Sequence, residues 1–284
     1  MFDRVLVAMD LSPATEALVS SIPGLKEFGT REIILAHVAR SIREPVSASL
    51  REIGDLRERL NGLGERLRSE GFEVTVEVPS GAPAAELIKL AQSRDPNIIL
   101  IGSRSHTRIR EAFVGSVAWE VVRRARRPVL LQRIEANRPD PEAALESRAG
   151  GLPTKVVFPT DFSEAAESAY AMLETLAVQG VSQFTLLHVL PVDAKDGRAE
   201  AERQLEALAA PLRTLEGVQA DTLVRLGTPH EEILSAGGKD RDAMVVMATH
   251  GRGFLPEIVM GSESRQVARQ ASASVLLVPA RKGE

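Results

Sequence analysis

The sequence predicts an α/β protein built from two tandem doubly wound domains, each a five-stranded parallel sheet flanked by helices. Three observations support this. The chain repeats itself, short apolar runs alternate with stretches of helical spacing, and the most apolar runs suit strands buried on both faces. At 284 residues, 44% of them hydrophobic and 26% charged, the chain is long enough for about two domains of ordinary size.

The repeat pairs four segments of the first copy with four of the second. The pairs are Val5–Ser12 with Val156–Ser163, Leu35–Val38 with Leu186–Val189, Gly81–Pro83 with Gly227–Pro229, and Gly115–Ser116 with Gly261–Ser262. Matching residues lie 151 positions apart in the first two pairs and 146 positions apart in the last two. The second copy is therefore five residues shorter between its second and third strands. Proline and glycine among polar residues between the copies are typical of a linker. We therefore predict domains at 1–136 and 153–284, joined by a linker at 137–152.

Within the first copy, the apolar period changes back and forth along the chain. The predicted strands are Val5–Met9, Glu32–Val38, Glu73–Val78, Asn97–Ile101 and Val129–Gln132, and the predicted helices are Ala14–Phe28, Ile53–Arg68 and Ala84–Gln92. Ser12 followed by Pro13 is a good helix start, with serine as the N-cap. The runs Ile98–Ile101 and Met244–Met247 are apolar enough for central strands of a parallel sheet.

Composition excludes several classes of function. The sequence has no cysteine, which rules out disulfides, thiol catalysis and cysteine-ligated metal sites. A formal charge of −4 argues against a protein that mainly coats nucleic acid, so no nucleic-acid partner is expected. The N-terminus lacks the pattern of a signal peptide and no apolar run is long enough to span a membrane, so we expect a cytoplasmic protein without a membrane partner.

The loop after the fourth strand carries the most specific pattern. In doubly wound sheets, ligands bind beyond the carboxyl ends of the strands. In the second copy this loop runs through Ala248, His250, Gly251, Arg252 and Gly253 to a helix start at Gly261–Ser264. Glycines let backbone N–H groups approach an oxyanion, and a helix start adds donors and the positive end of the helix dipole. The first copy has Gly102 and Ser105, followed by Gly115 and Ser116. These features indicate phosphate binding.

Both copies resemble universal stress protein domains, whose nucleotide-binding members carry Gly, two residues, Gly, nine residues, Gly and then Ser or Thr. The resemblance covers nearly the whole chain outside the linker, and the nine-residue spacing is kept from Ser105 to Gly115 and from Gly251 to Gly261. It implies a Rossmann-like fold that binds ATP or another adenine nucleotide, with or without Mg²⁺.

The resemblance also implies which residues hold the nucleotide. In the second copy, Asp161 would contact the nucleoside and the backbone at Val189 would bond the adenine edge, while the loop and helix start would hold ribose and phosphates. The residues expected there are Pro159, Thr160, Asp161, Val189, Ala248, His250, Gly251, Arg252, Gly253, Gly261, Ser262, Glu263 and Ser264. The residues expected in the first copy are Asp10, Val38, Gly102, Ser105, Gly115 and Ser116.

Departures from the pattern make the two copies unequal. Ala248 replaces the first glycine in the second copy, and Ser105 replaces the second glycine in the first. Ala118 stands where the second copy has the hydroxyl of Ser264, and loss of a donor to phosphate would cost about 1.5–3 kcal/mol. We therefore predict that the second domain is the stronger site.

Several residues have a structural interpretation beside the functional one. Asp10 and Asp161 are interpreted as ligand contacts, with helix capping as the alternative. His37 and His188 are expected to be satisfied histidines at the sheet end, whereas His250 is either near phosphate or an exposed loop residue. The arginines of the first loop, Arg104, Arg108 and Arg110, either bind phosphate or are solvated. The cluster Arg123–Arg127 is expected to complement a helix C-terminus, and Trp119 and Tyr170 to pack in the core.

Three functional classes remain open from the sequence: a nucleotide-binding regulatory protein of the stress response, a slow ATPase, and a nucleotide-free interaction protein. The chain has no P-loop motif and no carboxylate pair beside the glycine loop to hold Mg²⁺, which argues against an enzyme. We therefore predict the regulatory protein, with no catalytic residue and no metal site. Universal stress proteins commonly pair through their last strand, so pairing of Pro128–Arg133 with Ser274–Pro279 inside one chain is expected, and a homodimer is left open.

Overall fold

The computed structural model of the chain divides into two compact units. The residues it describes are 2–12, 15–39, 46–105, 114–135, 153–194, 197–240, 242–251 and 260–280. Among them, no helix is both long and apolar enough to cross a membrane.

The first domain alternates strands and helices along the chain. Its elements are β1 (Arg4–Ala8), α1 (Thr15–Ser21) with a 3₁₀ segment (Ile22–Phe28), β2 (Glu32–Ala36), α2 (Val46–Ser69), β3 (Glu73–Glu77), α3 (Pro83–Arg94), β4 (Ile98–Ser105), α4 (Ser116–Arg124) and β5 (Val129–Glu135). The strands are parallel and lie in the order β3-β2-β1-β4-β5. The predicted doubly wound fold is confirmed for this domain.

The second domain repeats the plan. Its elements are β6 (Lys155–Pro159), α5 (Glu164–Val178), β7 (Gln183–Leu190), α6 (Arg198–Arg213), β8 (Gln219–Leu226), α7 (Pro229–Ile233) with a π-helical turn (Leu234–Gly238), β9 (Ala243–Ala248), α8 (Ser262–Gln270) and β10 (Ser274–Val278). The parallel order β8-β7-β6-β9-β10 matches that of the first domain. All residues of β9 and β10 are buried, as their apolar composition predicts.

Most element boundaries differ from the sequence prediction by one to three residues, and three elements differ more. The first helix is α-helical only to Ser21, because Pro23 lacks an N–H and its ring disfavours a continuing α-helix; a 3₁₀ segment then runs to Phe28. Helix α2 begins at Val46 rather than at Ile53, since its first turns are too polar to show an apolar period. Strand β4 extends past Ile101 to Ser105, paired along its length with β5.

Tyr170 and Trp119 are half-buried, whereas the sequence predicts both to pack in the core. The ring of Tyr170 packs edge-on against Phe158 at 5.9 Å between centroids, and its hydroxyl donates to the Leu208 carbonyl at 2.6 Å. Trp119 is half-buried on α4. Arg123 and Arg124 end α4 and lie 3.6 and 3.4 Å from Glu120, while Arg127 pairs with Asp95. Arg123 and Arg124 lie in the last turn of α4, as predicted, and the ion pairs with Glu120 and Asp95 are contacts that the sequence did not predict.

Candidate functional site

The strand order reverses between β1 and β4 in the first domain, and between β6 and β9 in the second. Such a reversal leaves a crevice at the carboxyl ends of the two central strands, where ligands of doubly wound folds bind. Asp10 follows β1 at this point and Asp161 follows β6. The fold therefore brings each aspartate to the place that the sequence predicts for a ligand.

The turn after each aspartate has the same unusual backbone. Leu11 has φ 52° and Phe162 has φ 60°, a left-handed conformation that is uncommon for residues other than glycine. The aspartate side chain stabilises the turn, since Asp10 Oδ1 accepts from the Ser12 N–H at 3.0 Å and Asp161 Oδ1 from the Ser163 N–H at 3.1 Å. Backbone strain of this kind clusters at functional sites.

The N-cap of α5 is Ser163 rather than Asp161. The Ser163 hydroxyl accepts from the Ala166 N–H at 3.3 Å and donates to Asp161 Oδ1 at 2.6 Å. The alternative interpretation of Asp161 as the helix cap is therefore wrong for this domain. The carboxylate is held by the turn and by the cap residue, on the side of the sheet where the strands end.

A histidine at the carboxyl end of each domain's second strand contacts the residue before the aspartate. The Nδ1 of His37 lies 2.8 Å from the Met9 carbonyl, and the Nδ1 of His188 lies 2.7 Å from the Thr160 carbonyl. Because a carbonyl only accepts, Nδ1 carries the proton in both rings. The Phe162 ring also packs on His188 at 4.5 Å between centroids. Both histidines are satisfied sheet-end residues, as expected.

The first domain has a cavity of about 300 Å³ at the strand ends. It is lined by Asp10, Val38, Gly102, Gly115 and Ser116, which are five of the six residues predicted for this site. Of Ser105, the sixth, the structure describes the backbone only. Much of the remaining wall is apolar and comes from Leu18, Leu87, Ile101 and Ala118. An apolar wall with a few convergent polar groups is typical of a small-molecule site.

In the second domain the glycine loop lies against the aspartate. A β-carbon built on Gly251 would overlap the Asp161 carboxylate oxygen Oδ2 and lie 3.3 Å from Cγ, so only glycine fits there without displacing Asp161. Thr160 is buried, and its hydroxyl accepts from the Phe162 N–H at 3.0 Å. The Gly261 N–H donates to the Thr249 carbonyl at 2.8 Å, which joins the helix start to the end of β9.

The hydroxyl of Ser264 has a different role from the one predicted. It is buried and donates to the Ala248 carbonyl at 2.9 Å. A hydroxyl has a single proton, so in this structure Ser264 does not serve as a donor to a ligand. This hydrogen bond connects α8 to the last residue of β9. Ala118 stands at the position of Ser264 in the first domain and has no hydroxyl to form such a bond.

Sequence reasoning missed His230, which binds the predicted site residue Glu263. The Glu263 carboxylate oxygen Oε2 accepts from the His230 N–H at 2.8 Å and lies 2.9 Å from its Nδ1. The Ser262 hydroxyl donates to the other oxygen at 3.3 Å. This arrangement caps α7 with a side chain from α8. The first copy has Ala84 at the position of His230, so the repeat gives no signal for the pair.

Comparison with known proteins identifies the family. The sequence model of the Universal stress protein family matches residues 1–133 and 153–279. The chain belongs to the universal stress protein family. A universal stress protein of Methanocaldococcus jannaschii, MJ0577, is 24% identical over 153 residues, which cover 46% of this chain and 94% of that protein. Rv2005c of Mycobacterium tuberculosis is 26% identical over 210 residues, which cover 72% of this chain and 69% of that protein.

A solved universal stress protein from Archaeoglobus fulgidus has the same fold across both domains. It matches with a TM-score of 0.77 and 21% identity, covering 99% of this chain and 100% of that one. The universal stress protein fold, with two such domains in one chain, is therefore shown for this protein.

The remaining predicted residues of the two universal stress protein domains have these placements. Pro159 ends β6 opposite Leu187, and Val189 lies opposite Arg225 in the β7–β8 pair. His250 is half-buried, with Nδ1 2.9 Å from the Thr249 hydroxyl. Arg252 and Gly253 lie outside the described residues, as do Arg108 and Arg110. Arg104 and Ser105 lie on β4, and the structure describes their backbone only.

A buried arginine lies beside the carboxyl-end half of β4 in the first domain. Arg133 on β5 is opposite Ser103 and donates from Nη1 to its hydroxyl at 2.6 Å. Loss of solvent on burial lowers the pKa of the Arg133 guanidinium to about 10.

Across the described ranges, His, Asp and Glu side chains form no group of three that is arranged to hold a metal ion.

Proposed function

We propose that this universal stress protein binds ATP, ADP or AMP at the strand ends of its domains and acts as a regulatory protein in the stress response. One observation supports the proposal above all. Five residues predicted independently of the structure, from four separate stretches of the first copy, line a single cavity: Asp10, Val38, Gly102, Gly115 and Ser116.

The chemistry of this cavity suits a nucleotide. A carboxylate only accepts hydrogen bonds, so Asp10 matches the hydroxyl donors of a sugar. Backbone groups at Val38 suit the edge of a base. Gly115 and Ser116 begin α4, and a helix N-terminus with exposed N–H groups favours phosphate. A bound Mg²⁺ would be held by the phosphates of the nucleotide and would neutralise their charge.

The second domain offers the same groups in equivalent positions. Asp161 follows β6, Gly251 lies against it, and Gly261 and Ser262 begin α8. The greater strength predicted for this site depended on its glycine loop and on the Ser264 hydroxyl. Because that hydroxyl donates to Ala248, only the glycine at position 251 still supports the ranking. A stronger second site stays a prediction, as does pairing of the domains through β5 and β10.

The proposal is tested by mass spectrometry of the small molecules released when the purified protein is denatured, followed by titration calorimetry with ATP, ADP and AMP. We expect an adenine nucleotide among the released molecules, or binding of at least one equivalent in the titration. Asp10→Ala and Asp161→Ala should each remove one of the bound equivalents. If no adenine nucleotide binds to the full chain, the proposal is wrong and the nucleotide-free interaction protein takes its place.

A further inference from the structure

Thr15, at the start of α1, has a buried hydroxyl that no other described group satisfies. The residue is 8% exposed and lines the first-domain cavity. Its Oγ1 is buried and has no hydrogen-bond partner within the described part of the chain. Buried hydroxyls are nearly always bonded, because an unsatisfied one destabilises the fold. The hydroxyl oxygen has almost no accessible surface, so in this structure the residue lines the cavity with its other atoms.

Thr15 and Asp10 belong to one hydrogen-bonded turn. Asp10 Oδ1 accepts from the Ser12 N–H at 3.0 Å, and the Ser12 carbonyl accepts from the Thr15 N–H at 2.9 Å. Both side chains line the same cavity. Since no hydrogen bond to a described residue holds the Thr15 hydroxyl, a change of χ1 rotamer would break no such bond, and it would be the step that brings the hydroxyl to a ligand in the cavity.

The hydroxyl is not needed to build this turn. The second domain forms the equivalent turn with Ala166, whose N–H is capped by Ser163 at 3.3 Å. Ala166 is also buried, at 5% exposure. A methyl side chain therefore fills the equivalent buried position of the second domain, and the Thr15 hydroxyl is a polar group that the second domain lacks there.

We propose that Thr15 is a ligand-binding residue of the first domain, whose hydroxyl bonds the sugar of a nucleotide beside Asp10. This inference rests on the proposed nucleotide binding and gives the first domain a contact that the second lacks. The sugar is the favoured partner because the Asp10 carboxylate in the same turn repels phosphate and accepts from sugar hydroxyls. Phosphate is expected instead at the helix start of Gly115 and Ser116, in another part of the wall.

The experiment isolates the first site in the full chain. Gly251→Val forces a side chain into the Asp161 carboxylate and blocks the second site, so calorimetry with AMP then reports the first domain. In this background we expect Thr15→Val to weaken AMP binding by about five- to tenfold, the usual loss for one hydrogen bond in a buried site. Thr15→Ser keeps the hydroxyl and should bind close to the parent protein.

Two further measurements separate ligand contact from a structural role. Thr15→Val should leave the melting temperature of the ligand-free protein unchanged or raise it, because no hydrogen bond to a described residue is lost. The same comparison is made with 2′-deoxy-AMP and with 3′-deoxy-AMP. The analogue that lacks the hydroxyl bonded by Thr15 should bind the Thr15→Val protein as well as it binds the parent protein. A loss that persists with both analogues overturns the assignment to the sugar.

The remaining outcomes distinguish this inference from the proposed function. If AMP binds the Gly251→Val protein and Thr15→Val binds it equally well, Thr15 has no ligand role and nucleotide binding stands. If the wild-type chain binds one equivalent and the Gly251→Val protein binds none, the first domain is not a site and this inference fails alone. If the wild-type chain binds no adenine nucleotide, both fail.

Discussion

Gly251 lies so close to Asp161 that the carboxylate oxygen Oδ2 occupies the space where a β-carbon of residue 251 would be. The contact joins the turn after β6 to the loop after β9, the two central strands of the second domain. The aspartate and Gly251 are thus parts of one surface, although they lie 90 positions apart in the sequence. Residue 251 must be glycine because the Asp161 side chain approaches its backbone closely, and not because its backbone adopts a left-handed conformation.

Gly251→Ala should therefore disturb the second site through Asp161. The new methyl group displaces the carboxylate, whose other oxygen is bonded to Ser163 at 2.6 Å. We expect the affinity of the second domain for AMP to fall about tenfold, equivalent to about 1.4 kcal/mol. Titration calorimetry in the Asp10→Ala background, where the second domain is the remaining site, measures the change.

Gly261→Ala is the matched control. A β-carbon at Gly261 meets the Thr249 carbonyl oxygen at 3.6 Å and the Ser264 hydroxyl at 3.8 Å, which are ordinary contact distances. The backbone there has φ −64°, which alanine adopts easily. Binding by Gly261→Ala should stay closer to wild type than binding by Gly251→Ala. The reverse order would show that the phosphate helix, and not the aspartate, is the sensitive part of the site.

Ser264→Ala should lower stability more than nucleotide affinity. The substitution removes the donor to the buried Ala248 carbonyl, and we expect a loss of about 1–3 kcal/mol in the free energy of unfolding. Urea denaturation measures it, with Ser93→Ala on the exposed face of α3 as the control. A large loss of AMP affinity with unchanged stability would restore the ligand role that the sequence predicts for this serine.

Glu263→Gln tests the second residue whose role the structure changes. The carboxylate is bonded to the main-chain N–H and ring of His230, so we expect its replacement to reduce stability by about 0.5–1.5 kcal/mol. AMP affinity should stay near wild type. His230→Ala removes only the ring contact and keeps the main-chain N–H that donates to Glu263, so it should cost less than the full arrangement is worth. The double variant should lose less than the sum of the two single losses, because both variants affect the ring contact.

The sequence predicted the fold and the location of the site because both follow from periodicity and repetition. The strand runs and the recurring aspartates place Asp10 and Asp161 at the strand ends, and one cavity of the first domain contains most of the residues predicted there. The hydrogen-bond partners of single side chains were harder to predict from the sequence. A serine that aligns with a phosphate-binding position bonds a strand carbonyl instead, and the partner of Glu263 is distant in sequence with no counterpart in the first copy. Such contacts depend on packing between elements, which a pattern along the chain does not encode.

The single tyrosine of the chain gives a pH-dependent test of the packing in the second domain. Burial, followed by the negative charge of Glu174, raises the pKa of Tyr170 above its ordinary value of 10.0. The neutral phenol is therefore favoured in the folded state, so its contribution to stability is fully present below pH 10 and is lost as the pH rises through the folded-state pKa. Because the chain has no other tyrosine, the absorbance of tyrosinate reports this residue alone.

We expect the tyrosinate signal of the folded protein to appear at higher pH than that of the protein unfolded in urea. Tyr170→Phe removes the donor to the Leu208 carbonyl and should lower the free energy of unfolding at pH 8 by about 0.5–1.5 kcal/mol. The difference between wild type and Tyr170→Phe should then shrink above pH 10, where the phenol ionises more readily in the unfolded chain. Coincident titrations of the folded and unfolded protein would show that Tyr170 is solvated, contrary to its packing on Phe158.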